Sequence, residues 1–302
     1  MQLQDKLLKK CCKWIASILL VIFVAIFFSL LISSKLALHT FGWRFIFNVE
    51  WNPVTQQFGA LTSILGTMVT STIATIIALP ISLAVAVFAT NIVPRKFCAP
   101  ISVGLQILAG IPSIIYGMWG LFIITPIFAL YVEPFLAMTL GQIPFVGQLF
   151  SGPPIGMGIL TAGFILAIMI IPLLTNMMLS LFDKVPPLLK ESGYSTGATR
   201  WEVVRKIQLP YLRSGIIGSV ILGLGRALGE TMAVTFVIGN SHQLFTSLFM
   251  PGNTIASTIA NEFTEATTLL YSSSIMGLAF ILMFITFGTL IAARILLNRY
   301  TK

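Results

Sequence analysis

The chain is 302 residues long, 57% hydrophobic and only 9% charged, with a mean hydropathy of +0.97. A soluble domain carries about 25% charged residues, so the composition excludes one and indicates an all-α integral membrane protein. The net charge of +9 does not by itself point to nucleic acid, because the basic residues gather at the ends of apolar stretches.

Six stretches reach the roughly 20 apolar residues that a bilayer crossing needs. They are 14–34, 62–89, 101–130, 156–181, 215–238 and 273–297. The first comes after a segment, 1–13, that holds Lys6, Lys9, Lys10 and Lys13. Its apolar run is too long for a signal peptide and no A-x-A-type site succeeds it, so it reads as an uncleaved first helix. Residues 35–61 form a connecting loop whose Trp43 and Trp51 suit anchoring at a membrane interface. In the third stretch Pro112 frees a backbone group. Such a break is tolerated where it lines a cavity, and Ser113 beside it is placed to hydrogen-bond an anion. Pro172 and Asn176 raise the same question in the fourth stretch.

The basic residues sort by side. The N-terminus, Arg95 and Lys96, the 183–213 segment and Arg294, Arg299 and Lys302 hold all but three of them. Lys35 and Arg44 lie on the opposite side, and Arg226 lies within a span. The positive-inside rule then places both termini and the 183–213 loop in the cytoplasm. The charge is topological and needs no nucleic acid. Cys11, Cys12 and Cys98 all flank cytoplasmic helix ends and read as reduced, structural thiols. His39 and His242 have no metal-ligand spacing, and nothing in the chain calls for a metal or other cofactor.

Within 183–213, Thr199-Arg200-Trp201-Glu202 has the S/T-x-x-E form of a capping box, so a helix starts at Arg200. Trp201, Val204 and Ile207 or Gln208 share one face of it, and Pro210 marks a new helical start. An exposed Trp here suits a partner contact, and equally an interfacial helix on lipid.

Arg226 and Glu230 interrupt the apolar fifth stretch. An ionisable side chain at mid-bilayer depth costs roughly 2.5–3.5 kcal/mol even on the lenient insertion scale. Four residues apart on one helix, the two share a face and can pair. Arg226 lies about 20 Å along that helix from Arg213, deep in a hydrocarbon core of about 30 Å. The pair marks either an anion pathway or an ion pair locking two helices. Gly225 and Gly229 add a G-x-x-x-G suited to close helix packing. Beyond it, Ile255, Ile259 and Phe263 recur every four residues with Glu262 and Glu265 off the stripe. That pattern predicts a short amphipathic helix on the external surface, a gate lid or a seat for a soluble partner.

Glu191-Ser192-Gly193, Gly197 and Ile207-Gln208-Leu209-Pro210 together resemble the EAA loop of binding-protein-dependent ABC importer permeases, with Ser192 and Gly193 in place of its two alanines. The run from Ala109 to Gly117 is similar to the A-x-I-P-S-x-x-Y-G signature of phosphate importer permeases. The run from Gly225 to Thr235 resembles their R-A-x-G-E-T segment, and its continuation to Asn240, with Thr254 to Phe263, is similar to the C-type subunit rather than the A-type. The resemblance covers nearly the whole chain. It implies a type I ABC importer permease fold over 62–297, with a cytoplasmic coupling helix, an EAA loop at 183–213 and a short cytoplasmic tail at 298–302. It also implies an A-type second permease, a cytoplasmic ATPase dimer, a periplasmic phosphate-binding protein and a bacterial inner-membrane setting. The ATPase would dock on Glu191, Gly197, Arg200, Trp201 and Glu202, and phosphate would pass Arg226, Glu230 and Ser113.

The chemistry of these residues agrees with that role. A guanidinium offers five donors in a planar fork suited to a tetrahedral oxyanion, and a neighbouring carboxylate keeps such a site from trapping its ion. The chain itself is no ATPase, since a P-loop needs Gly-Lys and that dipeptide does not occur. A sulfate or molybdate permease is the nearest alternative. A stand-alone transporter is disfavoured by the absence of duplicated halves, and an enzyme by the absence of a nucleophile with a paired base.

Overall fold

A computed structural model describes residues 2–144 and 146–300. Lys302 and the side chains of Lys6, Arg95 and Arg299, all among the basic residues that set the topology, lie outside the described set. The helices are α1 (Gln2–Ser33), α2 (Lys35–Phe41), α3 (Arg44–Phe47), α4 (Leu61–Asn91), α5 (Arg95–Ala109), α6 (Ser113–Gln142), α7 (Ile159–Phe182), α8 (Pro187–Ser195), α9 (Arg200–Leu228), α10 (Met232–Val237), α11 (Ile255–Glu262) and α12 (Leu269–Tyr300). Six of these are long and apolar enough to cross a membrane: α1, α4, α6, α7, α9 and α12. The chain is thus a multi-pass membrane protein.

The third span is displaced from its expected place. Residues 101–130 do not form one helix, because the chain breaks at Gly110-Ile111-Pro112. Proline forces the residue before it out of the helical region, and Pro112 itself is extended (φ −57°, ψ 138°) as the N-cap of α6. Pro112 therefore sits between helices, α5 is a separate short helix packed on α7, and the crossing is α6.

Proline also explains where the long helices widen. Gly120–Ile124, Phe128–Val132 and Val204–Gln208 are π-helical turns. Each ends two residues before a proline, at Pro126, Pro134 and Pro210. A proline has no N–H to give and its ring strikes the carbonyl four residues back. One extra residue in the turn before it relieves the clash and the run continues. So Pro210 does not begin a new helix; α9 runs from Arg200 to Leu228 through the third π turn.

α7 is the most buried span. Ile165, Leu166, Ile170 and Leu174 are buried against Ala74 and Ala78 of α4, and a Cβ at Gly163 would press on Ile73 at 2.7 Å. α1 lies at the edge and packs on α12 through Phe23–Phe287 and Phe27–Phe280. Ser273 Oγ donates to the Ser33 carbonyl at 2.7 Å and accepts from the Ala37 N–H. α1 and α12 are therefore antiparallel, and the N-terminal end of α1 and the C-terminal end of α12 lie on one side.

The segment 35–61, expected as a loop, contains two short helices. α2 and α3 form an elbow, Phe45 and Phe58 are fully buried, and Trp51 is buried while Trp43 is 81% exposed. Trp51 thus anchors the core rather than an interface.

α11 is likewise no surface helix in its first half. Ile255, Ala256, Ser257 and Thr258 are buried, and exposure begins at Ala260 and Asn261 in its second half. Hydroxyls on α4 receive it: the Ile255 N–H donates to Thr67 Oγ1 at 2.9 Å, and Ser63 and Thr258 share a hydrogen bond. Thr254 and Ser257 close a reciprocal cap, so the buried helix end leaves few orphan donors.

Glu262, at the far end of α11, gathers segments distant in sequence. It accepts hydrogen bonds from Trp51 Nε1, Tyr271 Oη and His242 Nε2, and Trp51 stacks on the His242 ring. Burial pushes this carboxyl up, but the bonds from His242 and Trp51, with the His242 charge, outweigh it and hold it below the ordinary carboxylate value. A carboxylate lowered on folding adds stability that is full above its unfolded value of about 4.3 and is lost as pH falls through the folded one. Glu262→Gln is expected to lose about 1.5–3 kcal/mol at neutral pH. Thermal unfolding across pH should show the gap to the parent closing only in acid, below about pH 4.3; a gap independent of pH would refute the assignment.

Candidate functional site

Arg226 and Glu230 do not lie on one helix, contrary to the expectation of a shared face. α9 ends at Leu228, Gly229 caps it, and Gly229-Glu230-Thr231 is non-helical before α10 begins at Met232. Glycine leaves a helix at the least cost, and hydropathy cannot register such a break because both flanks are apolar. Glu230 Oε1 turns to α10 and accepts the Ala233 N–H at 3.2 Å. The ion pairs among the described residues are Lys206–Glu202 and His242–Glu262, so Arg226 and Glu230 are not joined.

The placement of the two charges still has a physical cause. Arg226 sits in the last turn of α9, where partial negative charge accumulates. Glu230 sits at the start of α10, where partial positive charge does. Each is stabilised by its own helix end rather than by the other. Arg226 is exposed on the surface of this chain and Glu230 is half-buried. The expected G-x-x-x-G contact is absent as well, since Gly229 is outside the helix and the nearest atom to a Cβ at Gly225 is Leu290 Cδ2 at 3.9 Å.

Two breaks in the chain meet here. A Cβ at Gly117 of α6 would touch Ala233 Cα at 3.0 Å and the Met232 carbonyl at 3.2 Å. The start of α6 is thus pressed against α10. Ser113, half-buried, opens α6 one turn before Gly117, about 6 Å along the axis. The Tyr116 hydroxyl donates back to the Leu108 carbonyl at 2.9 Å and ties the first break down.

Sequence reasoning misses a further acid. Glu133 is fully buried within α6. Its Oε2 accepts the Gly156 N–H at 3.0 Å, while Oε1 has no partner among the described residues. Gly156 takes a left-handed φ of +79°, and a Cβ there would strike the Thr125 carbonyl. The sequence does carry a signal, an acid directly before Pro134, but a third span ending at 130 leaves both in a loop.

The opposite end of the site carries the loop before α9. α8 holds Glu191, and Gly197 turns the chain at φ +80°. Thr199 and Glu202 form the capping box, with the Glu202 N–H donating to Thr199 Oγ1 and the Thr199 N–H donating to Glu202 Oε2. A Cβ at Gly193 would press on Ile207 Cδ1 at 2.6 Å, so α8 packs on α9 through this small residue. Trp201 does not share the face of Val204 and Gln208. Those two are buried with Val203, whereas Trp201 is 62% exposed, and the π turn at Val204–Gln208 shifts Trp201 out of α-helical register with Gln208. Arg200 and Glu191 are also exposed, and Gln208 Nε2 bonds Asn91 Oδ1 at 2.8 Å.

Comparison with known proteins agrees with this layout. The profile of the binding-protein-dependent transport system inner membrane components matches residues 82–301. The phosphate transport system permease protein PstC of Xylella fastidiosa (strain Temecula1) is 52% identical over 283 residues, spanning 94% of this chain and 87% of that protein. The protein of the same name from Haemophilus influenzae is 48% identical over 295 residues, spanning 98% and 93%. A chain of the inward-facing methionine ABC transporter MetNI superposes with a TM-score of 0.60 at 16% identity, over 84% of this chain and all of that one. A chain of a bacterial alginate ABC transporter in complex with its periplasmic protein does so at 0.57 and 16%, over 96% of each. At such identities the structures speak for the fold alone, which is that of ABC importer permeases. The chain belongs to the family of binding-protein-dependent transport system inner membrane components, on the branch of the PstC permeases.

Proposed function

We propose that the chain is one of two permeases of an ATP-driven importer of inorganic phosphate in a bacterial inner membrane. The observation that carries this reading is the 52% identity, over 94% of the chain, to a phosphate transport system permease protein. In it the permease domain is 62–297, both termini are cytoplasmic, and the chain hydrolyses nothing itself. Arg226 is exposed on this chain rather than enclosed by it, as suits half of a pathway completed by an A-type permease. Its guanidinium would replace part of the hydration that phosphate sheds. Glu230, held one helix start away, moderates the attraction so that the ion can leave. Ser113 contributes a hydroxyl from the neighbouring break.

The test is uptake of radiolabelled phosphate by the chain assembled with its second permease, an ATPase dimer and a phosphate-binding protein. Uptake should require ATP and ignore excess sulfate. Uptake of sulfate or molybdate instead would assign another oxyanion.

At the cytoplasmic end, Glu191, Gly197, Arg200, Trp201 and Glu202 form the docking element for the ATPase. An aromatic that is largely exposed beside a rigid capped helix start is a contact of the kind that dominates interfaces. Trp201→Ala should leave the permease folded yet cost about 2 kcal/mol or more of ATPase binding. Co-purification of the ATPase checks this, and full retention with normal coupling would remove Trp201 from the interface.

A further inference from the structure

The α2–α3 elbow is hollow on both sides. One hollow, of about 650 Å³, is lined by Leu38, Trp43 and Ile46 of the elbow and by Phe280 and Phe284 of α12. Nothing charged lines it. The other, of about 510 Å³, is lined by Thr40, Arg44, Asn48 and Gln57. Both lie in the 300–1,000 Å³ range of ligand sites. They meet at the corner of the elbow, where Gly42 and Trp43 face the first hollow and Phe41 and Arg44 the second. Adjacent residues are only about 3.8 Å apart there, so the two hollows flank the same corner. Gly42 leaves the corner open, with no atom within 4 Å of where its Cβ would be.

The depth of the apolar hollow identifies what fills it. The apolar span of α1 ends at Ser33, which the Ser33–Ser273 contact sets level with Ser273 of α12. Phe280 to Ile285 lie seven to twelve residues further along α12, about 10–18 Å below that level at 1.5 Å per residue. One leaflet of a 30 Å core is about 15 Å thick. The hollow therefore follows α12 for about 8 Å, five residues at 1.5 Å each, within one leaflet.

The polar hollow supplies the charge. Arg44 is exposed and forms no ion pair among the described residues. Lys35, at the start of the same elbow, is exposed too. Nearby acids do not neutralise them: Glu262 is committed to Trp51, Tyr271 and His242, and exposed Glu50 forms no ion pair with either among the described residues. A cation beside an apolar groove on a membrane-spanning helix matches a phosphate ester on a hydrocarbon chain.

We propose that the α2–α3 elbow is a binding site for an anionic phospholipid, its phosphate at Arg44 and one acyl chain between Trp43 and α12. The site does not depend on what the chain transports.

Trp43 reports its own occupancy. The assembled transporter would be placed in bilayers containing phosphatidylglycerol or phosphatidylcholine with brominated acyl chains, which quench tryptophan on contact. Subtracting the signal of a Trp43→Phe variant isolates this residue. The expected result is quenching of Trp43 at about fivefold lower mole fraction of the anionic lipid, the effect of one basic group at the surface. Arg44→Gln, at an exposed position outside the transport pathway, should erase that difference while leaving uptake intact. Millimolar inorganic phosphate should not relieve the quenching. Three results would overturn the proposal. Equal quenching by both lipids in the parent means ordinary lipid contact. Absence of quenching by either means the groove is covered by protein. Relief by inorganic phosphate means a site for the free anion.

Discussion

Glutamine at position 226 is expected to abolish phosphate uptake while leaving the chain folded and inserted. A charge at this depth opposes insertion by roughly 2.5–3.5 kcal/mol, so removing it should not weaken the fold. The favourable term lost is the interaction with the end of α9, about 0.3–1 kcal/mol. Among the described residues Arg226 has no carboxylate partner to strand, and Glu230 is bonded to the Ala233 N–H. Transport should suffer far more. Hydrogen bonds to a charged partner contribute about 1.5–3 kcal/mol, which is a loss of roughly 10- to 150-fold in rate or affinity for one bond and more for a fork of two. Uptake at matched membrane abundance measures it. A purely structural ion pair makes the opposite prediction: instability in the single variant, rescued by adding Glu230→Gln. Rescue of that kind would overturn the pathway role.

Alanine at Gly66 is expected to be the most damaging small substitution in the fold. Gly66 is on α4, and a Cβ there would collide with the backbone carbonyl of Asn253. A carbonyl cannot rotate away as a side chain can. The segment that would have to move is anchored on both sides, by the Ile255 N–H on Thr67 and by Thr258 on Ser63. Overpacking costs about 1–3 kcal/mol and more where backbone must shift. Gly218→Ala is the control, on a helix where nothing lies within 4 Å of the new Cβ. It should be neutral or gain about 0.5–1 kcal/mol from helix propensity. Thermal unfolding of both variants in detergent decides the matter. Equal melting temperatures would mean that α11 does not sit against α4.

The parts of this fold that are legible in the sequence are those set by local chemistry. Span length comes from apolar runs, and the capping box at Thr199–Glu202 comes from residues within four positions of each other. The illegible parts depend on signals that composition does not carry. The break at Gly229 lies between apolar flanks, so the stretch reads as one helix and Arg226 and Glu230 as one face. Pro112 falls inside an apolar run and reads as a kink rather than a boundary, which shifts the third span and leaves Glu133 looking like a loop residue. The Glu262 cluster joins Trp51 and Tyr271, residues distant in sequence, and no periodicity announces it. α11 reads as a surface helix because its hydroxyl-rich face looks polar until Ser63 and Thr67 of α4 are seen to receive it.

The proline-linked π turns have an evolutionary consequence. Each is in effect a one-residue insertion accommodated inside a helix, with the proline as its fixed boundary. Removing Pro210 alone would leave the surplus residue in place, whereas a compensating one-residue deletion between 204 and 208 would let an ordinary α-helix re-form. That deletion would turn the start of α9 by about 100° relative to its membrane-spanning part, carrying exposed Trp201 round with it. The direction in which the docking face points is thus set by the count of residues ahead of a proline, so lineages can re-aim it by insertion or deletion without altering a single contact side chain.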